Sequence, residues 1–512
     1  MAGIGFELKK LFRRRGLMAM LRAYGYAGVI CAGPMLLGVL LQFGVLIVSG
    51  WWQVGRPDRD LLVCMITYTL LASLVLTSFL SMPVTRFLAD MLFDHDEKMI
   101  LPSFWGSTGI MLVVGAVLYT VFLLFSGATL MQGVLCLWLF LEMVVNWNAM
   151  SYLTAIKDYK SILYSFAAAV LVAFITSCVL LALAFPPVES LLFAVVLGYG
   201  VMLVWDVLLL HRYFPQSREH PWLFLQWVDQ FLPLALTGLF TTIGLFAHLA
   251  ITWCGPLGIK VKGLFYGAPY YDVPAMLAFL TILITTVNFV TSVEVNFYPT
   301  YRSYYSLLND GGPVKDITVA ENEMLAVLNR ELHYTALKQL LVTAAVISLE
   351  KTVLNALPLG FDDAMHGYFR VLCVGYALYA VGNIVMLILL YFTDYSGALT
   401  ASALFAGSTV IFTVIGQFFT TTLFGFGFLM GASLFAIYAT FRLASYTDNL
   451  PYRVLGQQPI VAQTKRGRFT ELGILLEHGE QRVDQSLHCS GHARSSNKAN
   501  IAETDGVIGE ES

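Results

Sequence analysis

LLVCMITYTLLASLVLTSFLSM, residues Leu61 to Met82, carries no charged side chain. About 20 apolar residues are what a helix needs to cross the hydrocarbon core, so this stretch reads as one transmembrane span. Comparable runs fall near 23–49, 104–125, 128–150, 162–185, 189–210, 231–254, 273–297, 335–357, 371–391, 398–418 and 422–441. The 512-residue chain is 58% hydrophobic and 12% charged, about half the charged share of a soluble domain. Its mean hydropathy is +0.72. A soluble protein this apolar could not cover its surface with polar groups. The expectation is therefore an all-α polytopic membrane protein with twelve transmembrane helices. The even count suggests two six-helix bundles, 23–210 and 231–441, related by a pseudo-two-fold and joined by a cytoplasmic linker at 211–230.

The positive-inside rule orients the chain. With the N-terminus in the cytoplasm, 24 Lys and Arg fall inside and 6 outside. Counting only as far as Arg442 leaves 17 inside against 6, so the bias does not depend on the tail. Both termini are expected in the cytoplasm, and the basic N-terminus shows no clean cleavage site. Residues 1–22 read as a basic, amphipathic arm, with Gly5–Arg15 either an interfacial helix drawn to the lipid bilayer surface or a charge cluster that sets topology. The loop 299–333 holds a capping-box pattern, Thr318 with Glu321. Met324, Leu328 and Leu332 follow at helical spacing. A cytoplasmic helix and a docking surface are expected there. The region 442–512 reads as a cytoplasmic tail, disordered from about 457, where Phe469 is the one aromatic residue.

No P-loop, HExxH or metal-ligand spacing occurs, and no CxxC pair among the seven cysteines. No catalytic residue, metal or cofactor is expected, and no nucleic-acid partner. Polar residues inside the spans carry more information. An ionised group in hydrocarbon costs roughly 2.5–3.5 kcal/mol on insertion scales, so such groups face a cavity or a partner. Glu142 shares a helical face with Trp138 and Asn146. In TTVNFVTSVEVNFYPTYRSYYS, Thr285 to Ser306, Glu294 shares a face with Thr291 and Tyr298, and Asn288 and Asn296 lie close by. These residues are the candidates for a hydrated path, for ion coupling or for sugar contact. Helix-to-helix clamping is the alternative reading. Arg86 and Arg302 are candidate gate residues, and the tyrosines around Tyr298 suit pyranose rings.

The opening MAGIGFELKKLF with LRAYGYAGVICAGP (Leu21 to Pro34), the segment Thr285–Ser306 and YFTDYSGAL (Tyr391 to Leu399) resemble the PelG family. These are inner-membrane transporters of a bacterial exopolysaccharide system, in the superfamily of multidrug, oligosaccharidyl-lipid and polysaccharide flippases. The resemblance covers roughly residues 1–456 and implies a flippase-like fold. It further implies export of an N-acetylgalactosamine-rich polysaccharide during biofilm matrix formation. The implied partners are a cytoplasmic UDP-sugar glycosyltransferase and membrane subunits, one of them a cyclic di-GMP receptor. Two other functions fit the residues: an ion-coupled flippase for a lipid-linked oligosaccharide or small amphiphile, and a membrane scaffold for the synthase.

Overall fold

The computed structural model describes residues 44, 45, 47–154, 156, 159–217, 220–356, 361–419, 424–457 and 466–478. The expected arm 1–22, most of the span at 23–49 and most of the tail lie outside them. Among the described residues, eleven helices are long and apolar enough to cross a membrane. Each overlaps one of the expected spans, and the protein is an all-α polytopic membrane protein.

In the first part of the chain these are α1 (Arg56–Phe93), α2 (Ile100–Phe125), α3 (Leu130–Leu153), α4 (Tyr159–Ala182) and α5 (Pro187–Tyr213). A short α6 (Phe224–Gln230) leads into α7 (Leu232–Trp253). A hairpin follows, β1 (Ile259–Lys262) and β2 (Phe265–Gly267), then α8 (Pro269–Leu280) and α9 (Leu283–Ser292). The chain winds as a π-helix over Val293–Phe297. It continues as α10 (Tyr298–Asn309), α11 (Val314–Ala356), α12 (Asp363–Tyr391), α13 (Tyr395–Gly416), α14 (Phe426–Thr447) and α15 (Leu450–Gln457).

Local chemistry sets these boundaries. Proline occupies the first turn of α1, α5 and α7, where its missing N–H costs nothing. Thr129 and Gln132 close a reciprocal capping box on α3. Asp362 caps α12 through the Met365 N–H at 2.8 Å. The capping box expected at Thr318 and Glu321 does not form. The helix begins at Val314, directly after Pro313, and Thr318 lies inside it, its Oγ1 donating to the Val314 carbonyl at 2.9 Å. The fixed φ of Pro313 starts the helix one turn early. Met324 and Leu328 are buried with Tyr304 in one apolar cluster.

Buried apolar side chains form two clusters. One draws on residues 45 to 228 with Phe265, the other on residues 245 to 450. Tyr68 of α1 packs against both. Helices α1 and α7 lie along each other where the two halves meet. Toward one face, Gly238 of α7 sits so close to the Ser78 carbonyl that a Cβ there would collide with it. This linker face also carries α6, whose Trp227 donates to Asp90 at 2.8 Å. At the opposite face the hairpin reaches from the second half onto the first. The Leu264 N–H donates to the Ser126 carbonyl at 3.1 Å, and Lys262 Nζ donates to Gln132 Oε1 at 3.0 Å. Gly127 and Gly263 meet there, both with positive φ, at 73° and 55°. A side chain on either would meet the other's backbone.

Within the region whose composition predicts disorder, residues 468–478 form a helix. It rests on α6 and on α1.

Candidate functional site: an aromatic cavity between the halves

Three helices present the same spacing to one space. From α1 come Tyr68, Leu71, Ala72 and Val75; from α2, Gly115, Leu118, Tyr119 and Phe122; from α7, Ile243, Phe246, Ala247 and Ala250. Each set follows i, i+3, i+4, i+7, one face of a helix. Leu76, Phe140 of α3 and Trp253 complete a cavity of about 490 Å³, within the size range of small-molecule sites. Its lining holds no Asp, Glu, Lys, Arg or His. Gly115 makes the geometry possible, because a Cβ there would run into Leu76 and the Phe140 ring.

The rings are ordered. Tyr68 stacks on Trp253 with centroids 4.6 Å apart and planes 14° apart, and Tyr119 on Phe140 at 4.4 Å and 12°. Phe122 stacks near Tyr68 at 5.8 Å. Their polar atoms are tied into protein. The Tyr68 hydroxyl donates to the Tyr266 carbonyl at 3.1 Å and accepts the Tyr266 N–H at 3.2 Å. Tyr119 bonds Thr69 Oγ1 at 2.7 Å, while Thr69 donates to the Met65 carbonyl. Trp253 Nε1 donates to both carboxylate oxygens of Asp272 at 3.0 Å, and Asp272 also accepts the Ala268 N–H at 3.0 Å. With their hydrogen-bonding edges occupied, these side chains offer π faces to the cavity. Such faces suit the C–H side of a sugar ring or another apolar surface.

The residues singled out in the sequence lie elsewhere. Trp138 is 59% exposed on the outer side of α3, and its Nε1 donates to Glu142 Oε1 at 2.8 Å. Glu142 is buried against Gly200 of α5, and Asn146 Nδ2 donates to the Tyr199 carbonyl at 3.3 Å. These three mark the α3–α5 seam, and none of them lines the cavity. Asn288 and Asn296 turn to α11. Asn288 Nδ2 donates to Thr335 at 3.0 Å, and its Oδ1 accepts from Lys338 at 2.6 Å. Asn296 Nδ2 donates to Glu331 at 3.1 Å. Ser292 also donates to Glu331, at 2.6 Å, and Thr285 to Gln339. The side chains of Thr291 and Glu294 lie outside the described residues. Tyr298 and Arg302 are surface residues on α10. Arg86 pairs with Asp90 at 3.2 Å and lies 5.6 Å over the Phe231 ring.

Sequence reasoning missed Tyr68, Tyr119, Phe122, Phe246 and Trp253. Their i, i+3, i+4 spacing was the available signal. In lipid a stripe of that kind does not separate a cavity face from a lipid face, because both are apolar.

Two further buried charges are paired. Asp394 caps α13 through the Gly397 N–H at 3.1 Å and accepts two hydrogen bonds from Arg442, at 2.6 and 2.9 Å. Glu350 accepts from Arg370 Nε at 2.6 Å. Each of these carboxylates is thus held by an arginine from a neighbouring helix. Among the described residues, no group of three His, Cys, Asp or Glu could hold a metal ion.

The fold has solved counterparts. An inward-facing multidrug resistance MATE family transporter of the MOP superfamily aligns at TM-score 0.56 and 14% identity, over 83% of this chain and 99% of that one. A MATE in a bent conformation aligns over 88% and 99% at TM-score 0.56 and 15% identity. A MOP superfamily transporter from Pyrococcus furiosus, described by the reverse polarity of its binding pocket, gives TM-score 0.56 and 16% identity over 83% and 96%. At such identities the likeness is one of fold. No curated protein sequence matches the chain. The family model described as "PelG: Putative exopolysaccharide Exporter (EPS-E)" matches residues 1–455. With that match over most of its length and a MOP-type transporter fold, the chain belongs to the PelG family of exopolysaccharide exporters.

Proposed function

We propose that the protein passes an N-acetylgalactosamine-rich exopolysaccharide, of the Pel type, outward across the bacterial inner membrane through the cavity between its halves. The observation that carries this reading is a cavity lined by stacked ring faces and free of charged side chains. A largely uncharged sugar chain needs no ionic partner along its way. It gains from ring faces that contact every residue of the polymer alike. Twelve spans in two six-helix bundles with cytoplasmic termini complete the reading. The positive-inside bias then puts the linker face in the cytoplasm and the hairpin face outside.

In this arrangement a cytoplasmic glycosyltransferase elongates the polymer from UDP-sugars and supplies the push. Membrane subunits that sense cyclic di-GMP accompany it. The protein contributes a path: Asp272 fixes Trp253, Trp253 stacks on Tyr68, and Tyr68 holds the hairpin through Tyr266. Pulling the hairpin away from Ser126 and Gln132 would open the outer side.

The test is reconstitution of the chain with its synthase in vesicles, with UDP-sugar supplied to the linker face. Polymer inside the vesicles without an ion gradient is the expected result. Polymer confined to the outside, with the complex intact, would sink the reading and favour a scaffold. The buried acids Glu142 and Asp206 favour a second reading, an ion-coupled flippase. That reading requires transport to stop at once when the gradient is collapsed.

A further inference from the structure

The helix over 468–478 lies beyond the stretch that the family model covers, 1–455, and the export reading makes no use of it. It is nevertheless docked. The Asp229 carboxylate accepts the N–H groups of Phe469 at 3.3 Å and Thr470 at 2.6 Å, and the Thr470 hydroxyl at 2.6 Å. Asp229 thereby caps a helix N-terminus from another part of the chain, where Gly467 has no side chain to do so. A Cβ on Gly467 would strike that carboxylate. Gly473 lies against Trp222 and Leu225, and His220 contacts Glu477 near the other end. The Phe469 ring packs 6.1 Å from that of Phe79.

Position gives these contacts their meaning. Phe79 stands one turn along α1 from Val75 and Leu76, which line the cavity, on the linker side. Asp229 stands three residues before α7 begins at Leu232. Helices α1 and α7 face each other across the cavity and close together at Ser78 and Gly238. Admitting substrate from the linker face requires those ends to part. One short segment grips Phe79 on α1 and Asp229 at the root of α7, so it resists that parting. We propose that residues 466–478 are a self-docking latch that holds the cavity shut on the linker face, and that undocking admits substrate there. A helix this short is marginal on its own, so undocking and unfolding are one event. Leu472 and Leu475 remain exposed on its outer side, which leaves the grip shallow enough to reverse.

The inference rests on the cavity being the path, but its test needs no polymer. In a cysteine-free full-length chain, Val75→Cys is labelled by a membrane-impermeant maleimide applied to the linker face of vesicles. Asp229→Ala should raise the labelling rate about fivefold, and ending the chain at Gln457 should raise it further. In the full chain, a benzophenone amino acid in place of Phe469, photo-cross-linked to α1 near Phe79, should lower the rate below that of the same chain kept dark. Labelling within about twofold of the parent in Asp229→Ala and in the shortened chain, or a cross-link without effect, overturns the latch. Failed polymer transport with these labelling changes intact would count against the export reading and leave the latch standing.

Discussion

Between α1 and α7 the chain sets ring faces and no charged side chain. Between α11 and α9 with the π-helical turn that follows it, the chain sets Thr285, Asn288, Ser292 and Asn296 opposite Glu331, Thr335, Lys338 and Gln339. The second region is the more polar, yet its groups are consumed by one another. Hydrocarbon offers no alternative partner to a hydroxyl or amide, so polar side chains on facing helices find each other and hold the helices together. The aromatic cavity does the reverse: it turns its few polar atoms into the protein and leaves apolar faces bare. In this fold polarity marks where helices are fastened, and the open space is marked by rings.

The strongest fastening gives the largest expected effect. Arg442→Ala strands Asp394, which is 1% exposed, and should cost about 3 kcal/mol in chemical unfolding of the solubilised protein. Burial acts to raise the Asp394 carboxyl, but the Arg442 guanidinium, the Gly397 N–H and Ser396 outweigh it and hold it below its ordinary value of 3.8. A depressed carboxylate stabilises the fold fully above that ordinary value, and the contribution fades as pH falls through the lowered one. The parent should therefore show a loss of stability in strong acid that Arg442→Ala lacks; matching acid profiles would remove the ion pair from the account.

Trp253→Ala comes next. It deletes the face on which Tyr68 stacks and should lower export about tenfold in the vesicle assay, while Trp253→Phe retains most of it. Equal export by the alanine variant would break the assignment of the cavity. Asn288→Ala should do the opposite, lowering stability by about 1 kcal/mol with export per folded molecule unchanged. Should its export fall as far as that of Trp253→Ala, the seam is part of the path. The smallest effect is expected for Glu142→Gln, which preserves shape on the α3–α5 seam and should leave export within about twofold of the parent. Abolished export would instead point to ion coupling through this carboxylate.

The spans were legible because lipid imposes a length and a polarity that few other structures share. Chemistry beyond that was harder to read. The run expected at 273–297 divides into α8, α9 and a π-helical turn, since hydropathy counts apolar residues and not hydrogen-bond register. The hairpin was not legible, because its partners Ser126 and Gln132 lie far away in sequence. The same distance hid the helix at 468–478. Its composition lacks a core of its own, and its lone aromatic, Phe469, packs against Phe79 of α1. The carboxylate receiving Thr470 sits 241 positions earlier. Glu142 and Asn288 were legible as polar residues in lipid, but their neighbours belong to other helices, and one chain read in order does not name them.

Helix α11 runs 43 residues, Val314 to Ala356, without a proline or glycine. At 1.5 Å per residue it is about 65 Å long, roughly twice the thickness of a bilayer's oily interior. Nothing along it offers a cheap place to bend. Whatever seizes the water-immersed end therefore holds a stiff oar whose blade lies beside the Asn288 seam, and a tilt imposed at the handle arrives on the far side of the membrane undiminished.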